Sequence, residues 1–208
     1  THLAGGPIFM YIKTNLEFPS DYGWGSSSTL MNDVAQWAGC DPFLLNEHSL
    51  GGSGYDIAVA QAQSAILYQL QPEGRMIQKV SFRPEFADEL ILVHLNQKQD
   101  SREGIRQYRS FPRSEVLVNE FSELTQKICE AEDLNDFCQL LTLHEEKLSG
   151  FLKIPTVKQK LFSDLPVFVK SLGAWGGDFV LSRRFPSYKE WFWERGFQTV
   201  LNFKDVTY

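Results

Sequence analysis

Apolar residues recur at Leu30, Met31, Val34, Ala35, Trp37 and Ala38, a helical spacing that predicts an amphipathic helix ending at Gly39. Upstream, residues 7–18, "PIFMYIKTNLEF", are dense in aromatic and aliphatic side chains and predict one strand or two. Downstream, "LGGSGYDIAVAQAQSAILYQL" carries Ala58, Ala60, Ala62 and Ala65, small residues suited to a helix lying close to a neighbouring backbone. "AILYQLQ-PEGR-MIQKVSF" predicts a hairpin around Pro72–Gly74. "ELILVHL", residues 89–95, is a continuous apolar run and predicts a buried strand. From Arg113 to Gly150 the pattern is helical, with a break near Asp133 that makes two helices. "PVFVKSL" and "DFVLSRR" predict strands, Ser187 to Arg195 a short helix, and "FQTVLNF" a closing strand.

Strand, helices, strand, strand, helix, strand is the order of a ferredoxin-like α+β unit. A boundary near residue 83 divides the chain into 1–83 and 84–208, without internal repeats or low-complexity tracts.

Composition narrows the function classes. The 208 residues are 43% hydrophobic and 22% charged, ordinary for a globular chain with a substantial core. A net charge of −6 argues against nucleic acid as a partner, because a phosphate-backbone binder presents a basic face. No apolar run approaches the ~20 residues a membrane-spanning helix requires. The start, "THLAGGPIFMYIK", lacks the pattern of a signal peptide. Cys40, Cys129 and Cys138 are odd in number and lack metal-ligand spacing, which predicts reduced thiols in the cytoplasm.

The chemistry concentrates in three glycine-rich turns. In "GWGSSS", Gly23, Gly25, Ser26, Ser27 and Ser28 stand directly before the first predicted helix. A serine there is a good helix cap, but one cap needs one serine. Glycines also let unpaired amides approach an anion at the positive end of the helix dipole. The turn lacks the Lys-[Ser/Thr] ending of a P-loop. The second turn, "GGSGYD", places Ser53, Gly54 and Tyr55 before Asp56 at a helix entrance. There an aspartate can simply meet the dipole, and the Gly-x-Ser-x-Gly nucleophile elbow is absent. The third, "LGAWGGDFVLS", contains Gly173, Gly176 and Gly177, more glycine than a hairpin needs.

Taken together, these segments resemble the GHMP kinase superfamily (galactokinase, homoserine kinase, mevalonate kinase and phosphomevalonate kinase). That family's Pro-x₃-Gly-Leu-Gly-Ser-Ser-Ala-Ala loop is similar to Pro19 followed by Gly23-Trp24-Gly25-Ser26-Ser27-Ser28-Thr29, with Trp24 in place of leucine. The Gly-Ser-Gly-Phe-Asp-Val-Ala segment of phosphomevalonate kinases resembles Gly52-Ser53-Gly54-Tyr55-Asp56-Ile57-Ala58, wording that also marks a bacterial subgroup. The third motif, Lys-x-Ser-Gly-Ala-Gly-Gly-Gly-Asp, resembles Lys170 through Asp178, with Trp175 replacing a glycine. The resemblance runs in order from about residue 15 to the end of the chain. Nothing before Thr14 matches the family's leading Gly-Lys strand, and Lys13 is not that lysine by context.

The resemblance implies a two-domain fold: a partial N-terminal ribosomal-protein-S5-like domain over 1–83 and a ferredoxin-like domain over 84–208. It implies transfer of the γ-phosphoryl group of ATP, with Mg2+, to a hydroxyl or phosphate of a mevalonate- or phosphomevalonate-like acceptor. Gly23, Gly25, Ser26, Ser27 and Ser28 would then cradle phosphate, with Ser27 reaching the magnesium. Asp56 would orient or deprotonate the acceptor. Ser53, Gly54, Tyr55, Gly173, Ala174, Trp175, Gly176, Gly177 and Asp178 would line the acceptor pocket. Glu47, nine residues before Asp56, stands near the place of a second magnesium ligand. Lys170 either meets an anionic substrate or is a solvated strand-end lysine. His48, His94 and His144 are scattered and carry no assigned chemistry.

The implied partners are a small-molecule acceptor and, as an open assembly, a homodimer; membrane and nucleic acid are excluded as partners. A sugar kinase of the same fold and a non-catalytic ligand sensor are the rival readings, and retention of Asp56 weighs against the sensor. With the leading strand unmatched, the expectations are an exposed sheet edge or apolar patch and no ATP turnover by residues 1–208 alone.

Overall fold

The computed structural model describes residues 11, 13–97, 101–112, 114–173 and 177–207. It is a mixed α+β chain. Helices α1 (Ser26–Ala38), α2 (Pro42–Glu47) and α3 (Tyr55–Ala62) precede a hairpin of β1 (Ile66–Gln71) and β2 (Gly74–Lys79). A 3-10 turn (Glu85–Glu89) then leads into β3 (Leu90–His94). Four helices follow, α4 (Ser101–Ser110), α5 (Glu115–Glu130), α6 (Leu134–Leu152) and α7 (Val157–Leu161). The chain closes with β4 (Val169–Ser171), β5 (Phe179–Arg183), α8 (Tyr188–Glu194), β6 (Val200–Asn202) and α9 (Phe203–Val206).

The larger sheet has the order β4-β5-β3-β6, every neighbouring pair antiparallel. Its centre is the run 90–94, buried at every position. The run is continuously apolar up to Val93 because both faces are covered. Leu90 and Leu92 pack with Phe137 and Leu141 of α6, while Ile91 and Val93 pack with Phe162 and with Phe192 of α8. Helix α6 starts where Asp133 accepts hydrogen bonds from the Asn135 and Asp136 amides, so the predicted break is an N-cap.

The smaller sheet is the predicted hairpin, with Gln71 opposite Gly74. It joins no other strand among the described residues. On α1, Leu30, Val34 and Trp37 are 47%, 40% and 57% exposed on one stripe.

Three corrections to the sequence reading are local. Residues 13–18 form no strand; they run irregularly into a bend at Glu17–Phe18, and residues 7–10 and 12 lie outside the described residues. Apolar content expresses a preference for strand, but a strand also needs a neighbour to complete its ladder. Helix α3 ends at Ala62, with Gln63 left-handed, so Ala65 is outside it. Helices α2, α4, α7 and α9 were not anticipated. Helix α7 had a readable signal, because Thr156 and Gln159 form a capping box three residues apart.

Candidate functional site

Helix α1 begins at Ser26 with Gly25 as its N-cap, left-handed at φ 73°. The first helical bond is Thr29 N–H to the Gly25 carbonyl at 2.9 Å. The amides of Ser26, Ser27 and Ser28 therefore have no intrahelical acceptor, and no side chain caps the helix. The serines consequently do not act as the caps their type suggests. Helix α3 repeats the device: Gly54 is a left-handed N-cap at φ 82°, again without a side-chain cap, and Asp56 lies in the first turn.

These two helix starts meet. A Cβ added to Gly25 would stand 3.6 Å from the Asp56 Cβ and Cγ. The turn before α1 also reaches the far end of the chain. A Cβ on Gly23 would fall 2.1 Å from Asp178 Oδ2, so only glycine leaves room for that carboxylate. The approach is fixed by aromatic packing, because Tyr22 and Trp24 set their rings 5.1 and 5.4 Å from that of Phe179, the first residue of β5. The Trp24 that departs from the resembled motif is thus an anchor on the sheet.

Asp178 also ties two strands together, since its carbonyl accepts from the Leu95 amide at 2.8 Å. Gly173 is left-handed at φ 67°, and its added Cβ would lie 3.9 Å from Asp178 Oδ2. Gly177 is buried beside it. Ala174, Trp175 and Gly176 lie outside the described residues.

Burial raises the Asp56 carboxyl above the ordinary carboxylate range, and a hydrogen bond with Tyr55 partly offsets the rise. The Tyr55 phenol is pushed up to about 12, by burial first and then by the Asp56 and Asp178 charges. Tyr55 as a whole is 46% exposed, so it is only partly withdrawn from water. A carboxylate held in this way is a better proton acceptor near neutrality than a solvated one.

Two charged residues have a different setting from the one their sequence context suggested. Lys170 is not a solvated strand-end lysine; its ammonium donates to Glu145 Oε2 at 3.0 Å and to the Ser171 carbonyl at 2.6 Å. Glu145 is buried and Lys170 nearly so, at 7% and 11% side-chain exposure. Ser171 Oγ donates to the same carboxylate oxygen at 2.8 Å, so β4 is pinned to α6 directly before the third glycine turn. Glu47 is ion-paired with Arg75 on the hairpin. That arginine was not anticipated, and no local signal in the β-hairpin marks it.

Among the described residues no group of three or more His, Cys, Asp and Glu side chains is arranged to hold a metal. Among the described residues the histidines are dispersed: His48 caps α2, His94 is buried beside Tyr22 and Phe179, and His144 packs edge-on to Phe121. Cys40, Cys129 and Cys138 are free. No helix among the described residues is long and apolar enough to cross a membrane. No protein-family model, curated protein or solved structure matches this chain.

Proposed function

We propose that this chain is an ATP-dependent small-molecule kinase of GHMP type, acting on a hydroxyl or phosphate of a mevalonate- or phosphomevalonate-like acceptor. The observation that carries the reading is the meeting of three distant turns: Gly25 lies against Asp56, and Gly23 against Asp178. The β4-β5-β3-β6 order supports a ferredoxin-like reading of residues 84–208, with 1–83 as the phosphate-handling part.

The residues present fit a phosphate at the start of α1. Free amides at Ser26, Ser27 and Ser28, a left-handed glycine cap and the positive end of the dipole favour negative charge there. The Ser27 hydroxyl is the magnesium contact in this assignment. Bound magnesium-ATP supplies the phosphoryl group and neutralises charge as it moves.

Asp56 takes the proton from the acceptor hydroxyl, aided by the burial that raises its carboxyl. Tyr55 stands beside it, its phenol raised by burial and by the Asp56 charge. Asp178, from the third turn, stands against Gly23 in the turn that leads into α1. Such a site works by positioning and preorganised charge more than by covalent chemistry.

The test is a screen of acceptors with magnesium-ATP, reading ADP release from the chain and from a version extended at its N-terminus. ADP formation that depends on one acceptor and on Asp56 supports the assignment. Nucleotide binding without turnover by either version, across mevalonate-like, phosphomevalonate-like and sugar acceptors, would leave a binding module instead.

A further inference from the structure

The loop 51–54 is gripped from two sides. Asn46, buried at 5% exposure, donates from Nδ2 to the Gly51 carbonyl at 2.9 Å, and the Gly51 amide returns a bond to the Asn46 carbonyl at 2.7 Å. Phe43 of α2 stands 3.0 Å from where a Gly54 Cβ would be. The hairpin supplies the other side. The Tyr68 hydroxyl donates to the Ser53 carbonyl. The Arg75 guanidinium lies 4.6 Å from the Phe43 ring centroid, pairs with Glu47, and has Nε 3.7 Å from the Gly54 Cβ position.

Tyr68 and Arg75 share one face of the hairpin, because Tyr68 opposes Ile77 and Leu70 opposes Arg75. A two-stranded hairpin is marginal by itself, and this one extends no larger sheet among the described residues. Its polar anchors all land on α2 and the loop that leads into α3.

From this geometry we infer that the β1–β2 hairpin is a clamp, in which Tyr68, Arg75 and Glu47 are positioning residues that fix loop 51–54 and so aim Asp56 at Gly25. The inference rests on the reading of Asp56 as the acceptor-facing carboxylate, and it gives Glu47 a role other than metal ligation. Phe43 and Arg75 stack over Gly54, and Tyr68 prevents the Ser53 peptide from rotating. Asp56 follows two residues later in a helix whose start has no side-chain cap to locate it. An error of about 1 Å in such a group can cost about 10²-fold in rate.

The experiment uses the full chain with Tyr68→Phe, Arg75→Gln, Arg75→Lys and Glu47→Gln. Carboxyl-carbon NMR follows the Asp56 titration, and ultraviolet absorbance follows the Tyr55 phenol. Asp56→Asn and Tyr55→Phe assign the two signals. In Tyr68→Phe and Arg75→Gln the Asp56 titration should shift down towards the ordinary carboxylate range as water reaches it, and Tyr55 should shift down from about 12. Arg75→Lys, which keeps the charge opposite Glu47, should recover part of each shift. Where an acceptor is turned over, kcat should fall by about 10²-fold with the KM for ATP unchanged.

A fold lost outright in Tyr68→Phe leaves the exposed Glu47→Gln substitution to decide through the same two titrations. Wild-type titrations in every folded variant would overturn the clamp. Shifted titrations uphold the clamp whether or not an acceptor is turned over, and the acceptor screen decides the kinase reading separately.

Discussion

Gly23 and Asp178 approach so closely that a single methyl group at Gly23 would sit 2.1 Å from the aspartate oxygen. Gly23→Ala should therefore cost more than backbone strain alone. Gly39 is the internal control, being left-handed at φ 63° with nothing within 4 Å of an added Cβ. Gly39→Ala should cost about 1 kcal/mol for its positive φ. Thermal melts should show a larger loss for Gly23→Ala, by several degrees at roughly 2–4 °C per kcal/mol for a chain of this size. Equal losses would mean that the Asp178 contact carries no weight.

In a version of the protein that turns over an acceptor, Asp56→Asn should keep the fold and the affinity for nucleotide while turnover falls at least ~10²-fold, the lower end for a lost base. Steady-state kinetics together with nucleotide titration check this. An unchanged rate would move the proton acceptor elsewhere.

The Tyr55 phenol should titrate near 12, far above solvent-exposed tyrosines, in an ultraviolet pH titration. Asp56→Asn should bring it down, because the Asp56 charge and hydrogen bond are causes second only to burial. An ordinary value in the wild type would mean that the phenol is not turned towards the two carboxylates.

Burial lowers the His144 imidazole from the ordinary 6.5 to about 4, with the Lys170 charge reinforcing the effect and Glu145 opposing it. The folded state then resists a proton that the unfolded state accepts. His144 contributes its full share of stability above pH 6.5, and that share is lost as pH falls from there to about 4. Denaturant titrations across that window should show stability declining. His144→Gln should flatten the decline; an identical slope in both proteins would refute the assignment.

Phe137, 2% exposed, packs against Phe82 and Phe86 beneath the central strand. Phe137→Ala should cost about 3–5 kcal/mol in denaturant unfolding, the range for a buried aromatic truncated to alanine. A loss under 1 kcal/mol would place the core elsewhere.

Local pattern alone determined much of the chain. The run 89–95 announced a strand covered on both faces, Gly39 and Asp133 marked helix ends, and Pro72–Gly74 marked the hairpin. These features depend on neighbours within about four residues, so the sequence displays them directly. The glycine turns and Asp56 were legible as chemistry for the same reason. Residues 13–18 were misread because a strand is a property of two segments, and only one was in view.

The tertiary structure decided how the turns relate. Rings of Tyr22 and Trp24 on Phe179 bring Gly23 to Asp178, a contact between opposite ends of the described chain. It also decided which charges are spent. Lys170 is buried against Glu145, and Glu47 is held by Arg75. Neither pairing has a local signature, because a charge is neutralised by whichever partner the packing delivers, and packing here is set by aromatic and aliphatic contacts far along the sequence.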